Sequence, residues 1–191
     1  MNDIKAIIFD CFGVLYVDAK QSLLETLPAD RALELADVNQ QGNYGLLNRD
    51  EYLQSVATIS GKSVAEVEAF IESEHRFNKV LGDYIVSDLH SQYKIGMLSN
   101  IGRGWVDSFF DQHQIHGLFD AVVLSGDEGI TKPHPRIFEI MAERLGVKPY
   151  ECIMIDDLEP NCAGADVVGM KAIQYRSNDQ VIAELKKLLA A

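Results

Sequence analysis

Five short apolar runs, each followed by a stretch of helical or turn-rich sequence, constrain this chain more than any other feature. They are Ile4–Phe9, Lys94–Leu98, Ala121–Leu124, Cys152–Ile155 and Lys171–Gln174. Each is largely continuous in apolar residues, as strands covered on both faces must be. Strands alternating with helices give an α/β fold with a central parallel sheet. The helical partners are clearest in the second half. Pro135 opens a helix that buries Phe138, Met141 and Leu145 and stops at Gly146. In the last helix, Val181, Ile182, Leu185, Leu188 and Leu189 share one face. With 191 residues, 47% of them hydrophobic, the chain can build one such core and a small insert.

The insert falls between the first two strands. Residues 18–79 show helical patterning throughout, leaving 1–17 and 80–191 for the core. Ser63 and Glu66 form a capping box ahead of Val67, Phe70 and Ile71, and Asn48 with Glu51 forms another ahead of Tyr52 and Leu53. An insert placed directly after the first strand lies over the carboxyl ends of the strands, where open α/β sheets bind ligands. A substrate-covering cap is therefore favoured over a structural decoration.

Seventeen basic against twenty-nine acidic residues leave a formal charge of −12. That field repels phosphate backbones and argues against a nucleic-acid partner. It also repels small anions, a conflict that a metal ion at the site would resolve. Cys11, Cys152 and Cys162 form no Cys-x-x-Cys pair and no zinc-like cluster with histidine. The apolar run in MNDIKAIIFD is too short for a signal peptide, and no stretch approaches a membrane span. A cytoplasmic location without membrane attachment is the expectation.

Four stretches carry chemistry, and each follows a predicted strand. The first is Asp10-Cys11-Phe12-Gly13, an acid at a strand's carboxyl end with a glycine shortly after. Taken alone it equally suits a capped turn. The second is Ser99-Asn100, whose hydroxyl and amides could hold an oxyanion or simply cap a helix. The third is Thr131-Lys132-Pro133-His134-Pro135, a lysine stiffened by prolines. The fourth is the pair Asp156-Asp157, with Asn161 downstream. Adjacent carboxylates after a buried strand need a neutralising cation or solvent. A hard oxygen donor set of this kind suits Mg²⁺.

In order and context, these four stretches make the chain resemble the haloacid dehalogenase-like hydrolase superfamily over nearly its whole length. The Gly45–Tyr52 stretch is similar to a cap-loop segment of that family's helical-cap branch. The resemblance implies a Rossmann-like three-layer sandwich with a small inserted α-helical cap and adjacent first and fourth strands. It implies Asp10 as nucleophile and Mg²⁺ ligand, Asp157 as second ligand and the Phe12 carbonyl as third, with Asp156 acting behind them. Ser99 and the Asn100 amide would hold phosphoryl oxygens, and Lys132 would balance charge. The substrate would be a small phosphorylated metabolite, processed through an aspartyl-phosphate.

One position departs from the pattern. Phe12 stands where most phosphatases of the family place a general acid and base. Losing such a group removes about two to four powers of ten in rate. Three readings are open: a phosphatase acting on a good leaving group, a catalytically weak binder of a phospho-ligand or protein, and a metal-free 2-haloacid dehalogenase. The acidic pair favours the first, because two extra carboxylates repel a haloacid anion while calling for a cation. Trp105, Phe109 and Phe110 read as core, and His113 and His116 as packing or surface residues. His134 could tune Lys132, and Arg103 could meet a substrate anion or face solvent. Tyr16, Asn43 and Tyr44 are candidates for cap-side specificity, and Asp18 could face the site from the hinge.

Overall fold

The computed structural model describes residues 3–17, 19–74, 76–105 and 117–190. Five parallel strands form one sheet: β1 (Ala6–Phe9), β2 (Lys94–Ser99), β3 (Ala121–Leu124), β4 (Cys152–Asp156) and β5 (Lys171–Gln174). Their order across the sheet is β3-β2-β1-β4-β5. β1 is central, pairing Ile7 with Ile95 of β2 and with Ile153 of β4. The expected adjacency of the first and fourth strands is therefore present. β1 starts at Ala6 rather than Ile4, while β2 and β4 each run one residue further than their apolar runs, to Ser99 and Asp156.

Both faces of the sheet are covered, which explains the unbroken apolar runs. Successive side chains on a strand point to opposite faces. Accordingly Ile7 and Phe9 enter one apolar cluster, and Ala6 and Ile8 enter the other. β4 divides likewise, with Ile153 and Ile155 on one face and Cys152 and Met154 on the other. Burying each such aliphatic or phenyl side chain contributes roughly 1.5–3 kcal/mol.

Following β3 come the short α6 (Ser125–Glu128) and then α7 (Pro135–Leu145). α7 starts at Pro135 and ends at Gly146 in the left-handed conformation, φ 71°, as its punctuation predicts. Its Ile137, Phe138 and Met141 pack on the Ala6–Ile8 face together with Ala165 of α8 (Glu159–Val167). The opposite face holds Val181 and Leu185 of α9 (Asn178–Leu189) and Leu81 of α5 (Lys79–Tyr84).

Between β1 and β2 the chain forms α1 (Ala19–Leu24), α2 (Ala29–Asn43), α3 (Arg49–Ser60) and α4 (Val64–Glu74). Both expected capping boxes are present, at Asn48/Glu51 and at Ser63/Glu66. The buried Leu35, Tyr52, Leu53, Val56 and Val67 of these helices belong to the same apolar cluster as Ile7 and Phe9. The outgoing and returning segments run side by side. Val17 N–H donates to the Arg76 carbonyl at 3.3 Å, and Asn78 N–H to the Leu15 carbonyl at 2.8 Å. No helix among the described residues is long and apolar enough to cross a membrane.

Candidate active site

The carboxyl ends of β1, β2 and β4 deliver Asp10, Ser99 and Asp156 to one edge of the sheet, and the loop after α6 brings in Lys132. Asp10 N–H donates to the Ile155 carbonyl at 2.9 Å, carrying the β1–β4 pairing into the site. Beyond it the chain turns sharply: Leu15 N–H and Tyr16 N–H both reach the Cys11 carbonyl, and Gly13 N–H reaches the Tyr16 carbonyl. Gly13 sits at φ +85°, and a Cβ there would lie 2.5 Å from the Asp157 carboxyl carbon. Only glycine lets Asp157 lie against this turn.

Lys132 holds the centre. Its side chain is buried, and its ammonium lies 2.8 Å from Asp10 Oδ1 and 2.6 Å from Asp156 Oδ2. Asp156 is fully buried and satisfied: its Oδ1 accepts from Asn161 Nδ2 at 2.9 Å and from Leu158 N–H at 3.0 Å. Asp157 is partly exposed beside it. Asp10, Asp156 and Asp157 each place a carboxylate oxygen within 4.8 Å of the others.

The Asn100 side chain clamps the lysine loop from both sides. Its Nδ2 donates to the Lys132 carbonyl at 3.0 Å, and its Oδ1 accepts from Lys132 N–H at 2.9 Å. Ser99 is 1% exposed, and its hydroxyl has no hydrogen-bond partner among the described residues. A buried orphan hydroxyl costs about 1–3 kcal/mol, so Ser99 does not sit here for stability.

Burial pushes the Asp10 carboxyl well above the usual carboxylate range. Lys132 pulls against that shift, while Asp156 and Asp157 add to it. Burial would lower the Lys132 ammonium, but attraction to Asp10 and Asp156 outweighs it and holds the group above its ordinary value. Burial also raises the Cys152 and Cys162 thiols, to about 12 and about 11, so neither is a thiolate at neutral pH.

A cleft of about 400 Å³ opens onto Lys132 and Asn100 from the side of the inserted helices. Its core wall also includes Thr131 and Pro133. The opposite wall is α2, through Ala36, Asn39, Gln40 and Asn43, with Tyr44 and Leu24 beside it.

A family model for haloacid dehalogenase-like hydrolases matches residues 4–169. The chain belongs to this hydrolase family. The D-ribitol-5-phosphate phosphatase of Bacteroides thetaiotaomicron is 28% identical to this hydrolase over 205 residues, covering 97% of this chain and 98% of that protein. Several curated relatives are matched over less than half of their own length; one is the glyceraldehyde 3-phosphate phosphatase of Methanopyrus kandleri, 43% identical over 63 residues, 32% of this chain and 27% of that protein. Among solved structures, a predicted HAD-like family hydrolase from Porphyromonas gingivalis superposes with a TM-score of 0.79 at 24% identity, covering 98% of each chain. A HAD family enzyme from B. thetaiotaomicron, solved with magnesium and inorganic phosphate, gives 0.73 at 24% identity over 92% of this chain and 96% of that one. The L-2-haloacid dehalogenase of Xanthobacter autotrophicus is more distant, at 0.65 and 18% identity over 96% of this chain and 83% of that one.

Of the other residues singled out from the sequence, Tyr16 and His134 sit differently from expectation, whereas Asn43, Tyr44 and Trp105 sit as expected. Phe12 is partly buried and packs its ring on the apolar cluster. Tyr16 is buried against Phe77, ring centroids 5.3 Å apart, and does not line the cleft, whereas Asn43 and Tyr44 do. His134 caps α7, accepting from Arg136 N–H at 3.2 Å, which leaves its ring occupied with the helix rather than with Lys132. Arg103 is solvent-exposed, 3.7 Å from Asp127. Trp105 is core, stacked edge-on against Tyr52 at 4.3 Å. Asp18, Phe109, Phe110, His113 and His116 lie outside the described residues.

Proposed function

We propose that this hydrolase is a Mg²⁺-dependent phosphomonoesterase acting on a small phosphorylated metabolite, with Asp10 as its nucleophile. One observation carries the reading: three carboxylates converge within 4.8 Å of one another, and two of them, Asp10 and Asp156, pair with the Lys132 ammonium. The donors are hard oxygens, and the turn at Gly13 leaves Asp157 room beside Asp10, a set that fits Mg²⁺. Asp10, Asp157 and the Phe12 carbonyl would hold the ion, which when bound would offset charge on the phosphoryl group. Asp156, tied to Lys132 and Asn161, positions the lysine.

The chain's own groups account for the rest. Asp10 Oδ1 is engaged by Lys132 and by Cys11 N–H at 2.6 Å, so Oδ2 is the oxygen left to attack phosphorus. An Asp10 Oδ2–P bond forms as the bond from phosphorus to the leaving oxygen breaks. Water then attacks phosphorus, releasing inorganic phosphate and restoring the carboxylate. The Ser99 hydroxyl and the Asn100 amide hold the phosphoryl oxygens. Phe12 supplies no proton, so the leaving oxygen takes its proton from solvent, which favours weakly basic leaving groups. Residues 18–79 form the cap over this core, closing the cleft on the α2 side.

The test is p-nitrophenyl phosphate hydrolysis with Mg²⁺, with EDTA, and with Asp10→Asn. Turnover is expected only for the wild type with metal. Equal rates in EDTA would reject the metal-assisted scheme, and an active Asp10→Asn would remove the nucleophile.

A further inference from the structure

The side of the cleft facing away from the phosphoryl site has a chemical character of its own. Ala36, Asn39, Gln40 and Asn43 are spaced i, i+3, i+4 and i+7, so they share one face of α2. Three of the four are amides. Lys132 is the only charged side chain among the described residues that line the cleft, and its ammonium is already engaged by Asp10 and Asp156. The carboxyl-terminal end of α2, at Asn43, also lies at the cleft and presents the negative end of the helix dipole. Among the described residues that line the cleft, a second anionic group on a substrate would meet no free cation, in a protein of formal charge −12.

Asn39 is held for recognition. It is 9% exposed, and its Oδ1 accepts from the Tyr52 hydroxyl at 2.7 Å. Tyr52 is itself braced by Trp105. With the carbonyl end occupied, the Asn39 amide N–H groups are left as donors on the cleft wall and make no hydrogen bond among the described residues. The helix cannot drift from the site, because the buried Ser125 hydroxyl donates to the Asn43 carbonyl at 2.6 Å and accepts from Ile101 N–H at 3.0 Å. α2 is thus pinned at two points, one inside the insert and one on the core.

We propose that this amide face of α2, led by Asn39 and Gln40, determines specificity for the leaving group: it accepts a neutral, hydroxyl-bearing group and rejects one carrying a second negative charge. The inference rests on the phosphomonoesterase reading and deepens it. Neutral amides donate to and accept from hydroxyls without a change of charge, whereas a carboxylate or second phosphate would be desolvated without a counter-ion.

The experiment compares erythritol 4-phosphate with 4-phosphoerythronate, which differ only in a terminal CH2OH against a carboxylate, and runs p-nitrophenyl phosphate alongside. Wild-type kcat/KM should favour the alditol phosphate by about tenfold or more. Gln40→Lys, at an exposed position that tolerates change, should shift that ratio about tenfold toward the acid by lowering its KM. Asn39→Ala should lower kcat/KM for the alditol phosphate about tenfold, through KM, and by more than for the nitrophenyl ester. Equal wild-type rates on the matched pair, or a ratio unmoved by Gln40→Lys, overturn the specificity assignment while leaving the phosphatase reading standing. If p-nitrophenyl phosphate itself is not hydrolysed, the phosphatase reading falls and this inference falls with it.

Discussion

Replacing Lys132 by methionine gives the sharpest test of how this site is held together. Methionine keeps most of the stem and removes the charge, so the change is electrostatic rather than a cavity. The ammonium sits 2.8 Å from Asp10 Oδ1 and 2.6 Å from Asp156 Oδ2. At an effective dielectric of about 20, each attraction is worth roughly 6 kcal/mol gross, most of it offset by desolvation. Removing one member of a buried charge set leaves the others uncompensated and costs about 3–5 kcal/mol. Set against a total stability of about 5–15 kcal/mol, that is a large fraction.

Urea unfolding of metal-free protein, followed by fluorescence of the single tryptophan, Trp105, measures the loss. The pH dependence follows from sign. Asp10 already has a raised carboxyl pKa, and without Lys132 it rises further. A carboxyl that binds its proton more tightly when folded loses stability as pH rises through the folded value and regains it as pH falls. The deficit of Lys132→Met should therefore be largest at pH 8 and shrink at pH 5.5. Adding Asp156→Asn should recover part of it, because the two sites are coupled. A loss below about 1 kcal/mol at pH 8, or the same loss at both pH values, would refute the electrostatic account of the site.

Three further outcomes are expected. Ser99→Ala should leave stability unchanged or raise it by up to about 1 kcal/mol, since it removes an orphan hydroxyl, while p-nitrophenyl phosphate turnover falls by about tenfold or more; a clear loss of stability would show a hidden partner. Gly13→Ala should weaken Mg²⁺ binding in calorimetry by about tenfold or more with the far-UV spectrum intact, because its Cβ displaces Asp157; undiminished binding would detach Asp157 from the metal. Phe12→Asp should raise kcat/KM for an alkyl phosphate by about tenfold relative to p-nitrophenyl phosphate; an equal effect on both esters would show that leaving-group protonation does not limit the rate.

The strands were legible because a sheet covered on both faces needs apolar residues at every position, and β1 divides its four side chains evenly between two clusters. Asp10, Ser99 and the acidic pair stood out as polar groups at the ends of buried strands and Lys132 as a lysine among prolines, and it was their order along the chain that carried the resemblance. Asn39 and Gln40 were not legible. On a helix, amides at i and i+1 read as an ordinary solvent face, and only the folding back of the insert sets them opposite Asn100 and Lys132. The Asn100 clamp and the Ser125 pin escaped notice likewise, since each joins residues far apart in sequence. Tyr16 misled because its closeness to Asp10 in sequence suggested the site, whereas the turn at Gly13 sends it into the hinge beside Phe77.

Charge balance links the two unusual features of the site. Three carboxylates against one ammonium leave two negative charges at the mouth of a buried strand end. Burial, with Asp156 and Asp157 adding to it, raises the Asp10 carboxyl, and a nucleophilic carboxylate there would call for another source of positive charge. A divalent cation, as proposed for this site, would supply the missing two charges. A haloacid, itself an anion, would make the imbalance worse, which is why the acidic pair separates this site from a metal-free dehalogenase despite the shared fold. With a cation and Lys132 managing charge, the one task left would be delivery of a proton to the leaving oxygen, which Phe12 cannot perform. On the phosphomonoesterase proposal the side chains would define the substrate from both ends: a leaving oxygen that departs without help, attached to a group that adds no further negative charge.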